Sequence, residues 1–327
     1  MTGGGDCPGL NAAIRAVTKT AIASGYEVLG FTDGLEGMMD GRYQLLDKIK
    51  TSGIIDRGGT ILGSSGMSPS HAVERSADVF RNFEQLGLQT VVVIGGNTTL
   101  SIASRLSAMG LPVLGIPKTI DNDVKETDYT IGFQTAVQIA TDALDRLRST
   151  AESHNRVMIL EVMGRDTGWI AAYAGMANGA DAILIPEVPA DLDKLCAILR
   201  SRHEIGKRFS IVVVAEGVRL EGRTLAEQGK LGGVAKVLEG IIQERTGLDT
   251  RTTLLGHVQR GGTPVAYDRS LATSFGVEAI ELIVDGKHGQ MTALRKNKIT
   301  SVPLEKVADG IKVVNLNVYR IAERFFG

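Results

Sequence analysis

Cysteine is nearly absent from this chain: Cys7 and Cys196 are the two among 327 residues. They lie far apart and in no metal-ligand spacing, so a disulfide framework and a cysteine zinc site are excluded. The pattern suits a reducing compartment, the cytoplasm. No apolar run approaches the roughly 18 residues that span a membrane. No basic start followed by an apolar stretch marks a secretory leader. The formal net charge is -1, so no global field recruits nucleic acid or an acidic membrane. No short repeat and no low-complexity linker is visible. The dinucleotide fingerprint GxGxxG and the Gly-Lys-Ser/Thr of a P-loop are both missing, which argues against a nicotinamide-dependent oxidoreductase of similar fold. No strand is legible before Thr2-Gly3-Gly4-Gly5-Asp6. A strand-to-helix turn without its strand suggests that an N-terminal strand is missing.

Glycine, by contrast, is abundant, with 40 residues. That suits many tight strand-to-helix turns and close backbone approach to ligands. The length fits roughly two domains. Short apolar β-rich runs at 27–31, 90–94, 111–116, 156–162, 182–185, 210–215 and 252–257 read as strands. Helical stretches at 8–23, 72–86, 100–109, 135–151, 168–177, 192–203, 233–245 and 267–284 alternate with them. Leu10, Ile14, Val17 and Ala21 line one face of the first helix. This alternation predicts an α/β fold with mainly parallel sheets and helices on both sides.

The run Pro117-Lys118-Thr119-Ile120-Asp121-Asn122-Asp123 follows the apolar stretch 111–116. In extended or loop backbone, residues i and i+2 point the same way, so Asp121 and Asp123 are expected to converge. Paired carboxylates suit a general base beside a metal ligand. They also stand at the carboxyl end of a buried strand, where open α/β sheets bind ligands. A polar turn is the bland alternative.

Three glycine-rich turns add weight. Gly3–Gly9 opens the first helix. Gly95-Gly96-Asn97-Thr98-Thr99 follows a strand and opens another helix at Leu100. Arg57–Gly66 is long. Each offers backbone N–H groups to phosphate oxygens, although any one alone is read equally well as a structural turn. Arg156, Arg165, Arg251, His257 and Arg260 fall at strand ends, and guanidinium groups suit a sugar phosphate. Glu216 adds an acceptor for a sugar hydroxyl. Together these residues are equipment for phosphoryl transfer to a phosphorylated sugar.

Five runs resemble the phosphofructokinase A family. They are Gly4–Asn11, Pro117–Asp123, Met163-Gly164-Arg165, Ala215-Glu216-Gly217 and Leu255–Gly262, in family order and across nearly the whole chain. Lys118 with Thr150–His154 resembles the branch holding actinobacterial-type and mixed ATP- or pyrophosphate-using members. The resemblance implies two Rossmann-like three-layer domains with the active site in the cleft between them. Residues 1–132 with about 252–300 would form the larger, donor-binding domain. Residues 133–251 with the C-terminal tail would form the smaller, sugar-phosphate domain.

It further implies a 6-phosphofructokinase of glycolysis that needs Mg2+ and makes fructose 1,6-bisphosphate. Asp121 would be the base for the sugar 1-hydroxyl. Thr119 would contact the transferring group, and Arg165 would assist. Fructose 6-phosphate would be held by Thr119, Ile120, Asp121, Met163, Gly164, Arg165, Glu216, His257, Val258, Gln259 and Arg260. Arg156 and Arg251 would reach its phosphate from a neighbouring subunit, making the active form an oligomer, usually a homotetramer. Gly5, Gly95, Gly96, Asn97, Thr98, Thr99 and Lys118 would hold the donor. Asp123, and more weakly Asn97, would serve the metal.

Three positions depart from the family pattern. Asn97 replaces an acid, and Gly66 stands where the family carries an arginine. Thr98 is neither the Asp of pyrophosphate users nor the Gly of ATP users. Lys118 favours pyrophosphate, while Thr98 lacks the carboxylate that would repel a nucleotide; the balance leans to ATP. The departures also raise an alternative, a sugar-phosphate-binding regulatory paralogue with impaired chemistry.

Overall fold

The computed structural model describes residues 1–220, 232–308 and 310–327. The chain divides into two compact units. Unit 1 is Met1–Thr135 with Arg260–Lys312, and unit 2 is Ala136–Gln259 with Val313–Gly327.

Unit 1 begins with β1 (Thr2–Gly3), α1 (Leu10–Ala23), β2 (Val28–Phe31), α2 (Gly34–Met39) and β3 (Tyr43–Leu46). Then come α3 (Pro69–Glu74), α4 (Ser76–Gln85), β4 (Val91–Gly95), α5 (Asn97–Ala108) and β5 (Val113–Pro117). The helix α6 (Phe133–His154) carries the chain onward. Unit 2 follows with β6 (Val157–Val162), α7 (Trp169–Asn178), β7 (Ala182–Leu184), α8 (Leu192–Glu204), β8 (Ser210–Ala215), α9 (Val234–Thr246) and β9 (Thr250–Leu254). The chain then returns to unit 1 for α10 (Ala266–Val284), β10 (Gln290–Arg295) and β11 (Lys298–Pro303), and ends in unit 2 with α11 (Leu316–Glu323).

The main sheet of unit 1 runs β1-β4-β5-β10-β11. β1, β4, β5 and β10 pair in parallel, and β11 closes the edge as an antiparallel hairpin partner of β10. Lys296 and Asn297 turn that hairpin, both at positive φ, as a two-residue connection between twisted strands requires. At the start, where no strand was legible in the sequence, the structure carries a two-residue one. Thr2 and Gly3 do form a strand, because β4 offers them a parallel partner at Ile94 and Gly95. A two-residue strand carries no pattern that sequence alone could show.

The other differences have equally local causes. β2 lies outside the main sheet and pairs antiparallel with β3. The helix expected over 72–86 is two helices broken at Arg75, whose side chain ties Asp40 and Asp78. β9 ends at Leu254, where Leu255 N–H donates to the Glu161 carbonyl, and Gly256–Arg260 coils as a 3-10 turn. Pairing of β9 with β6 also keeps residues 252–259 in unit 2, whereas the expectation had placed them in the first domain.

The four predicted apolar positions of α1 are all buried. α1 packs on α10 at a glycine: a Cβ at Gly276 would lie 2.6 Å from the Ala16 Cβ, so close approach requires glycine there. The start of α6 is fixed from α10. The Asp268 carboxylate, fully buried, accepts from Gly132 N–H, Thr135 N–H and the Thr135 hydroxyl. These donors belong to the turn that no intrahelical acceptor can serve.

The sheet of unit 2 runs β7-β8-β6-β9 and is parallel throughout. β6 and β8 are buried along their whole length, which explains their continuous apolar runs. The exception is Glu161 in β6, 4% exposed. Its two oxygens accept from Gly233 N–H and Ala235 N–H at 2.8 Å each, so it caps α9 from within the sheet. Glu187 does the same for α7 through Gly168 N–H.

Candidate functional site

The parallel order of β1, β4 and β5 sets their carboxyl ends side by side in unit 1. Beyond those ends stand the Gly3–Asp6 turn, the first turn of α5 and the Pro117–Asp123 run. α5 starts at Asn97 rather than at Leu100, so Asn97, Thr98 and Thr99 are its first turn, with backbone N–H groups free for an anion. Thr98 is exposed. Lys118 N–H donates to the Gly95 carbonyl at 2.9 Å, which welds the acidic run to the α5 turn.

The Lys118 side chain was expected beside donor phosphates. It is 2% exposed, and its ammonium donates to the carbonyls of Gly3 at 2.9 Å and Gly5 at 2.6 Å. Burial pushes its pKa down from the ordinary value. Lys118 is therefore a strut under the first glycine turn. The Arg260 guanidinium occupies the space a Cβ at Gly5 would fill, so a side chain there would displace it. Arg260 also donates to the Asp6 carbonyl. Expected among sugar-binding residues, Arg260 lies in unit 1 against the glycine turn.

Asp121, Thr119 and Asp123 are 7%, 8% and 8% exposed. The Thr119 hydroxyl donates to Asp121 Oδ2 at 3.3 Å and accepts from Asp121 N–H at 3.1 Å. Asn122 sits at φ 51 between the two aspartates, so the backbone there is not the extended one that the alternation argument assumes. Asparagine tolerates that region. The side chain of Asn122 is fully buried and accepts from Thr130 N–H. The side chain of Ile120 is also fully buried, so only its backbone can meet a ligand.

Asn97 Nδ2 donates to the Asp123 carbonyl at 3.2 Å, while its Oδ1 is buried with no hydrogen-bond partner among the described residues. An orphaned amide oxygen beside Asp123 is a hard donor set of the kind Mg2+ takes, so these residues fit that ion. No cluster of three or more His, Cys, Asp or Glu suited to a metal occurs among the described residues. Gly66 is exposed, with open space where a Cβ would stand, and its neighbour Ser65 bridges to Gly3.

One residue that sequence reading missed is Lys312. Its ammonium donates to Asn122 Oδ1 at 3.1 Å and to the carbonyls of Thr127 and Asp128 at 2.9 Å each. Burial lowers its pKa to about 7. A lone lysine in a C-terminal stretch gives no signal in sequence.

In unit 2 the carboxyl ends of β6, β8 and β9 lead into the Met163–Arg165 turn, Glu216 and the 3-10 turn. Glu216 Oε1 accepts from Gly164 N–H at 3.3 Å and Arg165 N–H at 3.0 Å. Gly164 and Arg165 have positive φ, and Glu216 holds that conformation. Gln259 is fully buried: it accepts from Met163 N–H and donates to the Gly256 carbonyl. Its side chain is a brace, which corrects its reading as a substrate contact. His257, Val258 and Arg165 are exposed, the last paired with Asp166 at 3.6 Å.

Arg156 and Arg251 stand at the opposite, amino ends of β6 and β9. Both pair with Asp249, Arg156 at 2.5 Å. A six-residue strand separates the two ends by about 20 Å, so the structure does not bring these arginines to the Met163–Arg165 turn within one chain.

The chain matches the family model described as "Phosphofructokinase" over residues 1–283. It is 50% identical over 333 residues to "ATP-dependent 6-phosphofructokinase 3" of Streptomyces coelicolor, covering 99% of this chain and 98% of that protein. It is 47% identical over 338 residues to "Pyrophosphate--fructose 6-phosphate 1-phosphotransferase" of the same organism, covering 100% and 98%. Among solved structures, phosphofructokinase from Saccharomyces cerevisiae superposes with a TM-score of 0.84 at 32% identity. That match covers 99% of this chain and 45% of the yeast chain.

Proposed function

The chain belongs to the phosphofructokinase family, and from that premise we propose that it is a glycolytic 6-phosphofructokinase. The observation that carries the reading is the Thr119–Asp121 pair, held beside the glycine turn and the α5 N-terminus at one sheet edge. The oxygen of the fructose 6-phosphate 1-hydroxyl attacks the terminal phosphorus of the donor. Its proton passes to Asp121, a carboxylate preset by Thr119. The bond to the leaving phosphate of the donor breaks, giving fructose 1,6-bisphosphate and ADP or phosphate. Rate comes mainly from position and charge rather than covalent chemistry.

We assign donor binding to unit 1, through Gly5, Gly95, Gly96, Asn97, Thr98 and Thr99. Asp123 and Asn97 would hold Mg2+, which when bound neutralises charge on the phosphates. Unit 2 takes the sugar phosphate, through the Met163–Arg165 turn, Glu216 and His257. Arg156 and Arg251 face away from that turn along their own strands, which supports their serving a second copy in a homotetramer. We place the enzyme in the cytoplasm, where such multiply charged substrates are retained.

ATP is the preferred donor in this reading. Thr98 is exposed at the α5 start and carries no charge against a nucleotide, and the Lys118 ammonium is engaged below the turn. The test is a coupled assay with fructose 6-phosphate, Mg2+ and each donor separately. Faster turnover with ATP is expected. Faster turnover with pyrophosphate reverses the donor assignment, and none with either overturns the reading.

A further inference from the structure

We propose that Lys312 is a positioning residue for phosphoryl transfer, clamping the loop that carries Asp121 and Asp123. Three side-chain bonds and one backbone bond converge on one short segment. The ammonium donates to Asn122 Oδ1, Thr127 O and Asp128 O, and Lys312 N–H donates to the Asp123 carbonyl at 2.7 Å. The segment needs an outside holder. Asn122 is in the left-handed region and Glu126 has φ 65, so the segment is not itself helix or strand. β10 and its hairpin hold it at Thr127 and Asp128, and Lys312 is the holder that also reaches Asn122 and Asp123.

Asn122 is the joint through which the clamp reaches the reacting groups. It lies between the two aspartates, and the same Oδ1 that takes the Lys312 bond also accepts from Thr130 N–H at 3.1 Å. Thr130 in turn donates its hydroxyl to the Thr119 carbonyl at 2.7 Å. A continuous chain of bonds therefore links Lys312 to both neighbours of Ile120. Such a network is disrupted as a unit when one charged donor is removed, and a small misplacement of a reacting group can cost about 100-fold in rate.

The proposal rests on the phosphofructokinase reading, which wild-type turnover reports by itself. Lys312→Met keeps the stem length and removes the donors. Its kcat is expected to fall about 10- to 100-fold with the fructose 6-phosphate KM within about threefold, as for a group acting only on transition-state geometry. Amide exchange of Thr130 is expected to rise in Lys312→Met with the unit 2 strands unchanged. Lys312→Arg, which restores charge and donors, is expected to recover most of kcat and protection. Val79→Ala, in the core of unit 1, serves as a matched loss of stability and leaves kcat per folded molecule unchanged. Unchanged kcat or unchanged Thr130 exchange in Lys312→Met overturns the proposal, as does a loss no greater than that of Val79→Ala. If wild type has no turnover, the kinase reading fails, while the exchange of Thr130 still decides whether the clamp exists.

Discussion

The Lys118 ammonium lies 2.6 Å from the Gly5 carbonyl oxygen, beneath a turn otherwise built of glycines. A residue expected to meet phosphate thus shapes the backbone that meets it. Lys118→Met removes two charge-assisted bonds and leaves two carbonyls near an apolar side chain. Each such bond contributes about 1.5–3 kcal/mol, so urea unfolding should register a loss on that order. The donor KM should rise while the fructose 6-phosphate KM holds. A rise in the sugar KM alone would be incompatible with the strut.

Asp121→Ser tests the base. Loss of a general base commonly lowers turnover by about 10²–10⁴. The fructose 6-phosphate dissociation constant, measured by calorimetry, should change far less. Full turnover in the variant would remove Asp121 from the mechanism.

Asn97→Asp tests the orphaned acceptor. Oδ1 is buried and unbonded beside Asp123, and a carboxylate binds a hard cation more tightly than an amide oxygen. Half-maximal activity should need less Mg2+ in the variant, by roughly several-fold. A higher Mg2+ requirement would place the ion elsewhere.

Asp268 carries a pH dependence of a definite sign. Burial pushes its pKa up, outweighing the donors at Gly132, Gln134 and Thr135. The folded state therefore binds this proton more readily than the unfolded chain. Stability from this group falls as pH rises from the unfolded value, about 3.9, through the raised folded value. The stability difference between wild type and Asp268→Asn, followed by urea unfolding across that window, should narrow with increasing pH. A gap that widens would reverse the assignment.

Much of the chemistry was written in short runs of sequence. The acidic loop, the three glycine turns and the βαβ alternation depend on local patterns, and local patterns are what turn residues and side-chain periods encode. The burial of β6 and β8 followed from their apolar stretches, broken in β6 by Glu161 alone. Asn97 and Gly66 were recognisable as departures from the family pattern by residue type alone, because charge and size belong to the side chain itself.

Tertiary structure decided which of those residues meet each other. The two-residue β1 exists because β4 supplies its partner, and no pattern fits in two residues. Gln259 resembled a substrate contact by motif, yet its buried side chain holds backbone at Met163 and Gly256, since a buried polar group finds its partners wherever the fold brings them. Arg156 and Arg251 share a residue type with Arg165, but topology sets them at the amino ends of β6 and β9, both paired with Asp249. Lys312, almost 200 residues from Asp121 in sequence, is fixed to its loop by long-range packing. Sequence determined the kinds of groups available for phosphoryl transfer. The fold determined which ones act as ligands and which as struts, because that depends on distance and burial rather than on residue type.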